Sequence, residues 1–214
     1  MRYLFKTIAL ILFFTNVHAS EYSLNNTNEY SPTLSNRLSL MTGINPNPRQ
    51  MTSLNSLSAS YAIKRSVYWL DFMFLSSSGL FQKMTMNNTA ATAQTDAQLF
   101  DVRSTHMAVG VGAMIDSSYS RILFNSDNWY ETSSAYITYN TFKNSSLTST
   151  YTGPGLITKF SVCRKLTDLV SFGANMNYLL ASVKRPAETT IENSSSQSLT
   201  ISYLTLGLEF VLTI

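Results

Sequence analysis

Between Ser198 and Ile214 the chain alternates almost without interruption. Leu204, Leu206, Leu208, Phe210, Leu212 and Ile214 occupy the even positions, and Tyr203, Thr205, Gly207, Glu209, Val211 and Thr213 the odd ones. Successive side chains of a β-strand point to opposite faces, so this pattern gives one fully apolar face and one mixed face. Six alternate positions cover roughly 40 Å at strand rise. That is longer than the usual strand of a soluble domain.

The same period recurs upstream, while helical periodicity is poor. Asp168 to Val183 sets Val170, Phe172, Ala174, Met176, Tyr178 and Leu180 against Ser171, Gly173, Asn175 and Asn177. Leu156 to Arg164 sets Leu156, Phe160 and Val162 against Lys159, Ser161 and Cys163. Ser66 to Leu75 and Ser53 to Ile63 repeat the pattern, with Tyr68, Leu70, Phe72 and Phe74 in one and Leu57, Ala59, Tyr61 and Ile63 in the other. Leu99 to Ile115 ends in Val109, Val111, Ala113 and Ile115, alternating with the glycines Gly110 and Gly112. Ser133 to Phe142 and Asn36 to Gly43 complete about eight predicted strands. Tight turns are expected at Lys64-Arg65 and at Lys165-Leu166-Thr167. Long polar loops are expected over 42–52, 76–97, 143–152 and 185–197. Asp116 to Thr132 fits neither class. It stands where a short turn is due, yet it holds Tyr119, Phe124, Trp129 and Tyr130. A longer strand and a structured insertion both fit it.

The amino terminus reads as a targeting segment. Arg2 and Lys6 precede the apolar run Thr7 to Thr15, and Val17-His18-Ala19 ends before Ser20. A charged start, a short apolar stretch and a small-residue cleavage site are the pattern of a secretory signal peptide. The run is well short of the roughly 20 residues a spanning helix needs. The expected organisation is a signal peptide over 1–19 cleaved between Ala19 and Ser20, a loose arm over 20–35, and one domain over 36–214. Of the 15 basic residues two lie in the leader, leaving 13 against 12 acidic ones. A net charge near +1 gives no case for nucleic acid. Cys163 is the only cysteine, so neither an intramolecular disulfide nor a lipid-bearing thiol at the cleavage site is available.

A secreted β-sandwich would also alternate, but its solvated faces usually carry Lys and Glu. Here charged residues are 13% of the chain, about half the usual share. The faces opposite the apolar ones hold Ser, Thr, Asn and Gly instead. An all-β, antiparallel up-and-down transmembrane barrel suits such a chain, because one strand face meets lipid and the other a polar lumen. Closure removes sheet edges that lipid could not satisfy. Long and short connections in alternation match extracellular loops and periplasmic turns. Over most of 36–214 the chain resembles the small outer-membrane barrels of the OmpA-like and OmpW-like families. Its last strand, Leu199 to Ile214, is similar to the carboxyl-terminal signal read by the barrel-insertion machinery. That signal normally ends in Phe or Trp, whereas here Ile214 stands last and Phe210 four residues before it. The resemblance implies a place in a bacterial outer membrane, with membrane lipids and the insertion machinery as partners.

By alternation Arg37, Asp71, Lys159 and Glu209 point into the lumen, where a charge needs a partner. If the last strand closes on the first, Glu209 could meet Arg37. A packed polar core and a switching gate both fit these four. Tyr61, Tyr68, Phe172 and Phe210 face outward near the periplasmic strand ends, as an aromatic girdle would. His106, the one histidine after the leader, shares a strand face with Ser104. A Ser-x-His pair arises easily by chance, and no acid accompanies it. No Cys/His cluster suggests a metal, and no phosphate loop or dinucleotide fingerprint suggests a cofactor. Three functions stay open: a structural barrel with a filled polar lumen whose loops engage a surface ligand, a narrow channel for small or hydrophobic solutes, and a lipid-modifying enzyme. The first is the expected one.

Overall fold

The computed structural model describes residues 36–46, 51–65, 68–81, 85–87, 103–144, 150–185 and 197–214. The expected leader and arm over 1–35 lie outside these residues, as do the central parts of the long loops. The strands are β1 (Asn36–Ile44), β2 (Met51–Arg65), β3 (Tyr68–Phe81), β4 (Thr85–Asn87), β5 (Arg103–Ser117), β6 (Trp129–Asn144), β7 (Tyr151–Lys165), β8 (Val170–Arg185) and β9 (Gln197–Thr213). One short helix, α1 (Tyr119–Phe124), lies between β5 and β6.

Eight long strands pair antiparallel in the order β1-β2-β3-β5-β6-β7-β8-β9, and β9 returns to pair with β1. The sheet is therefore a closed barrel without a free lateral edge. The seam runs from Arg37 opposite Thr213 to Ile44 opposite Leu206. Gly43 and Gly207 face each other in it. A Cβ on Gly207 would lie 1.6 Å from the Thr42 carbonyl oxygen, so no other residue fits while the strands stay this close. Above the end of β1, the three-residue β4 pairs with β9 at Ser198, Leu199 and Thr200. The loop between β3 and β5 thus supplies a short partner where β1 has stopped.

The strands run past the boundaries read from the sequence. β2 includes Lys64 and Arg65, so these two are strand and not the expected tight turn. β7 ends at Lys165 and the next turn occupies 166–169, where Leu166 and Thr167 donate backbone N–H groups to the Val170 carbonyl. β3 continues through Ser76, Ser77 and Ser78 to Phe81, into the stretch expected to be loop. Small polar residues do not break a strand when each backbone group has a ladder partner. The segment from Asp116 divides three ways: β5 runs to Ser117, α1 and a turn follow, and β6 starts at Trp129.

Alternation fixes the two faces. Leu38, Leu40, Leu57, Phe72, Phe74, Val109, Val111, Ile137, Leu156, Phe160, Met176, Leu208 and Phe210 are exposed on the outside. Their neighbours along each strand are buried inside. Asn36 and Ile214, joined by a pair of backbone hydrogen bonds, share one end with the short turns. That end is the periplasmic one by the rule that short turns are periplasmic and long loops extracellular.

Candidate functional site

The lumen is the candidate site, and its side chains lie in layers. At the periplasmic end Arg37 Nη1 donates to Asp116 Oδ1 at 2.7 Å. Trp69 Nε1 donates to the other carboxylate oxygen at 3.0 Å. The guanidinium lies 4.1 Å from the Trp69 ring centre and 5.3 Å from that of Tyr130. Arg37, Asp116, Trp69 and Tyr130 come from four strands and close the lumen from below. A cavity of about 200 Å³ sits at this rim against Arg37, Asp116, Arg121 and Lys165. The expected approach of Glu209 to Arg37 does not occur. Arg37 sits opposite Thr213, two inward positions below Glu209, which stands opposite Met41, and Asp116 reaches it from β5.

Above this layer Lys159 Nζ donates to Glu209 Oε1 at 2.8 Å, with both side chains buried. The two residues stand on β7 and β9 with β8 between them. Tyr136 Oη donates to Asp71 Oδ2 at 2.6 Å. Asp71 and Tyr136 are separated by β5, and the residue of β5 in register with both is Gly112. With no side chain there, the phenol passes over the strand to the carboxylate. A Cβ at Gly112 would lie 2.0 Å from the Ala135 carbonyl oxygen. Ser39, Ser60, Ser134, Ser161, Asn175, Asn177 and Thr205 fill the rest of this level.

The third layer is a chain of neutral groups. His106 Nδ1 lies 2.7 Å from Tyr203 Oη, and Nε2 lies 3.1 Å from Asn140 Oδ1. The Asn140 amide nitrogen is 3.0 Å from Thr138 Oγ1 and 3.3 Å from the Gly153 carbonyl oxygen. Those contacts use the amide as donor, so Oδ1 accepts and His106 carries its proton on Nε2. Nδ1 then accepts from the Tyr203 hydroxyl, and Ser77 Oγ, at 2.7 Å, donates to the same phenol oxygen. Ser104 is buried on the same face as His106, but the histidine's partners are Tyr203 and Asn140. The arrangement holds the imidazole in place and leaves no acid beside it.

Towards the extracellular end the lumen turns apolar. Phe142, Tyr151, Leu179, Val183, Leu199 and Ile201 are buried there in one cluster. The rings of Phe142 and Tyr151 meet edge to face at 6.0 Å. This layer departs from the uniformly polar lumen expected from the sequence. Most of its residues alternate with polar outward ones, as Val183 does with Ser182 and Lys184 and Leu199 with Ser198 and Thr200, so the period-two contrast is inverted at this end.

Tyr61, Tyr68, Phe172 and Phe210 are exposed on the outer face, with Phe172 directly opposite Phe210. Register continues this row through Arg164 of β7 to Trp129 of β6. Trp129, in the segment whose sequence pattern fits neither strand nor short turn, stands at the outer face in the same row as Phe172 and Phe210. Cys163 is buried. Among the described residues no group of His, Cys, Asp and Glu could hold a metal ion, and no helix is long and apolar enough to cross a membrane.

No protein-family model matches the chain, and no curated protein matches it in sequence. Solved structures with a similar chain path include Neisserial surface protein A, at 14% identity and a TM-score of 0.42, covering 82% of this chain and 94% of that one. Another is Ail, the attachment invasion locus protein of Yersinia pestis, in complex with the heparin analogue sucrose octasulfate. It has 8% identity and a TM-score of 0.39, and the match covers 84% of this chain and 96% of that one. The assignment rests on this chain's own geometry. Closure without a free edge and an apolar outer face give it the architecture of a small transmembrane β-barrel of the outer-membrane type.

Proposed function

We propose that the barrel is a structural one with a plugged lumen, and that its long extracellular loops engage a surface ligand. The observation that carries this reading is the stacking of closed layers. Arg37 is clamped between Asp116 and Trp69, Lys159 is paired with Glu209, and an apolar cluster fills the space above. Eight strands give an interior just wide enough for side chains to fill. A solute would have to part a buried ion pair and then an apolar plug.

The lumen residues Arg37, Asp71, Lys159 and Glu209 act in this reading as a packed core that holds eight strands in register. Tyr61, Tyr68, Phe172 and Phe210 form the periplasmic-side aromatic girdle. The leader over 1–19 is removed on export, and the last strand is read by the insertion machinery. The protein is not an enzyme, since His106 is enclosed in the lumen between Tyr203 and Asn140 and lipid cannot reach it.

Reconstitution of the full-length mature protein in a planar bilayer tests the plug. A silent bilayer, with the protein shown to be inserted, supports the structural reading. Discrete conductance steps from the unsubstituted protein would overturn it in favour of a narrow channel.

A further inference from the structure

We propose that α1 is an interfacial anchor, seated in the phospholipid headgroup boundary of the inner leaflet on the outside of the barrel. The inference rests on the membrane-spanning architecture and not on whether the lumen conducts.

The first observation is where the helix is tied. Ser117, Trp129 and Glu131 all take outward positions by alternation on β5 and β6. Glu131 would otherwise present a carboxylate to lipid. Instead it accepts hydrogen bonds from the Ser117 hydroxyl, at 2.9 Å, and from the Ser120 backbone N–H, and it is buried. The helix start therefore lies against the outer wall and covers the acid. Phe124, at the other end, stacks on outward-facing Trp129 with ring centres 4.4 Å apart. Both ends of α1 are fastened to the lipid-facing side of the same strand.

The second observation is what this position leaves uncovered. Ile122 is 80% exposed and Leu123 79%, the two highest exposures among the large apolar side chains described. A soluble surface would leave them in water. Here they precede Phe124, whose ring joins α1 to the outward row of Trp129, Arg164, Phe172 and Phe210. The neighbouring turn repeats the arrangement, with Leu166 and Leu169 exposed at the same rim. Arg164, exposed, stands in that row, and exposed Arg121 of α1 lines the cavity at the lumen mouth beside it. Cations flanking apolar and aromatic groups suit a boundary where phosphates lie above acyl chains. A helix of this kind is held by its apolar face and lies in the interface plane. The occupant of the α1 surface is thus the bilayer the barrel already crosses.

Spin labels would test this on the full-length mature protein with Cys163→Ser. The label is placed by Ile122→Cys, with Val111→Cys as the lipid-belt reference and Asp127→Cys as the turn reference. Samples are reconstituted in phosphatidylcholine–phosphatidylglycerol vesicles, and a heat-shifted gel band verifies the closed barrel. In the vesicles the label at 122 should collide more with oxygen and less with an aqueous nickel chelate than the label at 127. Its depth should fall between those at 127 and 111. Adding Leu123→Asp should move it towards water. If the label at 122 stays as open to the nickel chelate as the one at 127 while the label at 111 reads lipid, the anchor is overturned and the barrel stands. If 111 also reads water, the membrane-spanning architecture itself fails.

Discussion

Lys159 Nζ and Glu209 Oε1 meet at 2.8 Å inside the barrel, on strands separated in the sheet by β8. Their side chains are 0% and 2% exposed, so neither charge has water as an alternative partner. Breaking a buried pair by removing one member costs roughly 3–5 kcal/mol, because the other charge is stranded. Glu209→Gln should therefore lower the unfolding midpoint sharply in detergent or vesicles. The double substitution Lys159→Met with Glu209→Leu removes both charges and should recover most of the loss. A Glu209→Gln protein that unfolds at the unsubstituted midpoint would mean that the pair does not hold the barrel.

The phenol of Tyr136 crosses β5 to Asp71 only because Gly112 stands between them. A side chain at 112 would meet the Ala135 carbonyl and stand in the path of the phenol. Gly112→Val is expected to push β5 from β6 and strand the Asp71 carboxylate. Both effects act on the folded state, so the heat-shifted compact gel band should be reduced or lost. Tyr136→Phe removes the hydroxyl alone and should cost about 1–3 kcal/mol as an unsatisfied buried acceptor. The order of the two, Gly112→Val worse than Tyr136→Phe, is the result to check by midpoint.

Much of this was legible before the fold was known, and the reason is local. Period two is a property of one strand, so the outward faces of β2, β3, β8 and β9 could be written down from their own residues. Closure of β9 on β1 follows once an even set of antiparallel strands must hide its edges in lipid. What could not be read is the stagger between distant strands. Arg37 and Glu209 point into the same lumen, but tilt sets which layer each joins, and Arg37 meets Asp116 from β5 instead. The apolar layer around Phe142 and Leu199 was hidden because the alternation inverts there: their outward neighbours, Thr141, Lys143, Ser198 and Thr200, are polar, and a strand's own pattern does not say which face turns inward beyond the lipid belt. Helix α1 was hidden for a different reason. Six residues are too few to establish a 3.6-residue period, and its fastening to Glu131 is a tertiary contact. Strand ends failed where Ser and Gly, ordinary loop residues, have ladder partners in β3.

His106 and Tyr203 offer a separate test of the middle layer. Tyr203→Phe deletes the hydroxyl that links Ser77 to His106 Nδ1 and leaves the ring packing in place. A buried acceptor without its donor costs roughly 1–3 kcal/mol. His106→Ala also empties the space of an imidazole and should cost more. Neither change should alter the silent bilayer, because the ion pair below and the apolar cluster above remain. Conductance appearing in His106→Ala alone would show that this layer, and not its neighbours, seals the lumen.

The outer face makes the most discriminating prediction, because lipid and water answer differently to charge. Val111 lies outward on β5, six residues above the strand's periplasmic end at Ser117, and its neighbours in register are Phe72 and Ile137. Phe172 lies outward two residues above the start of β8, in the row with Arg164 and Phe210. An arginine near the bilayer midplane of a barrel costs about 2–4 kcal/mol, and near the interface about 0–1 kcal/mol. Val111→Arg should therefore destabilise the barrel far more than Phe172→Arg once the protein is in vesicles. In a soluble sheet the comparison reverses, since the arginine at 111 would be hydrated and the loss of the larger Phe172 side chain would dominate. Unfolding midpoints of the two variants in phosphatidylcholine vesicles decide between these cases, and equal midpoints would be incompatible with a lipid belt at Val111.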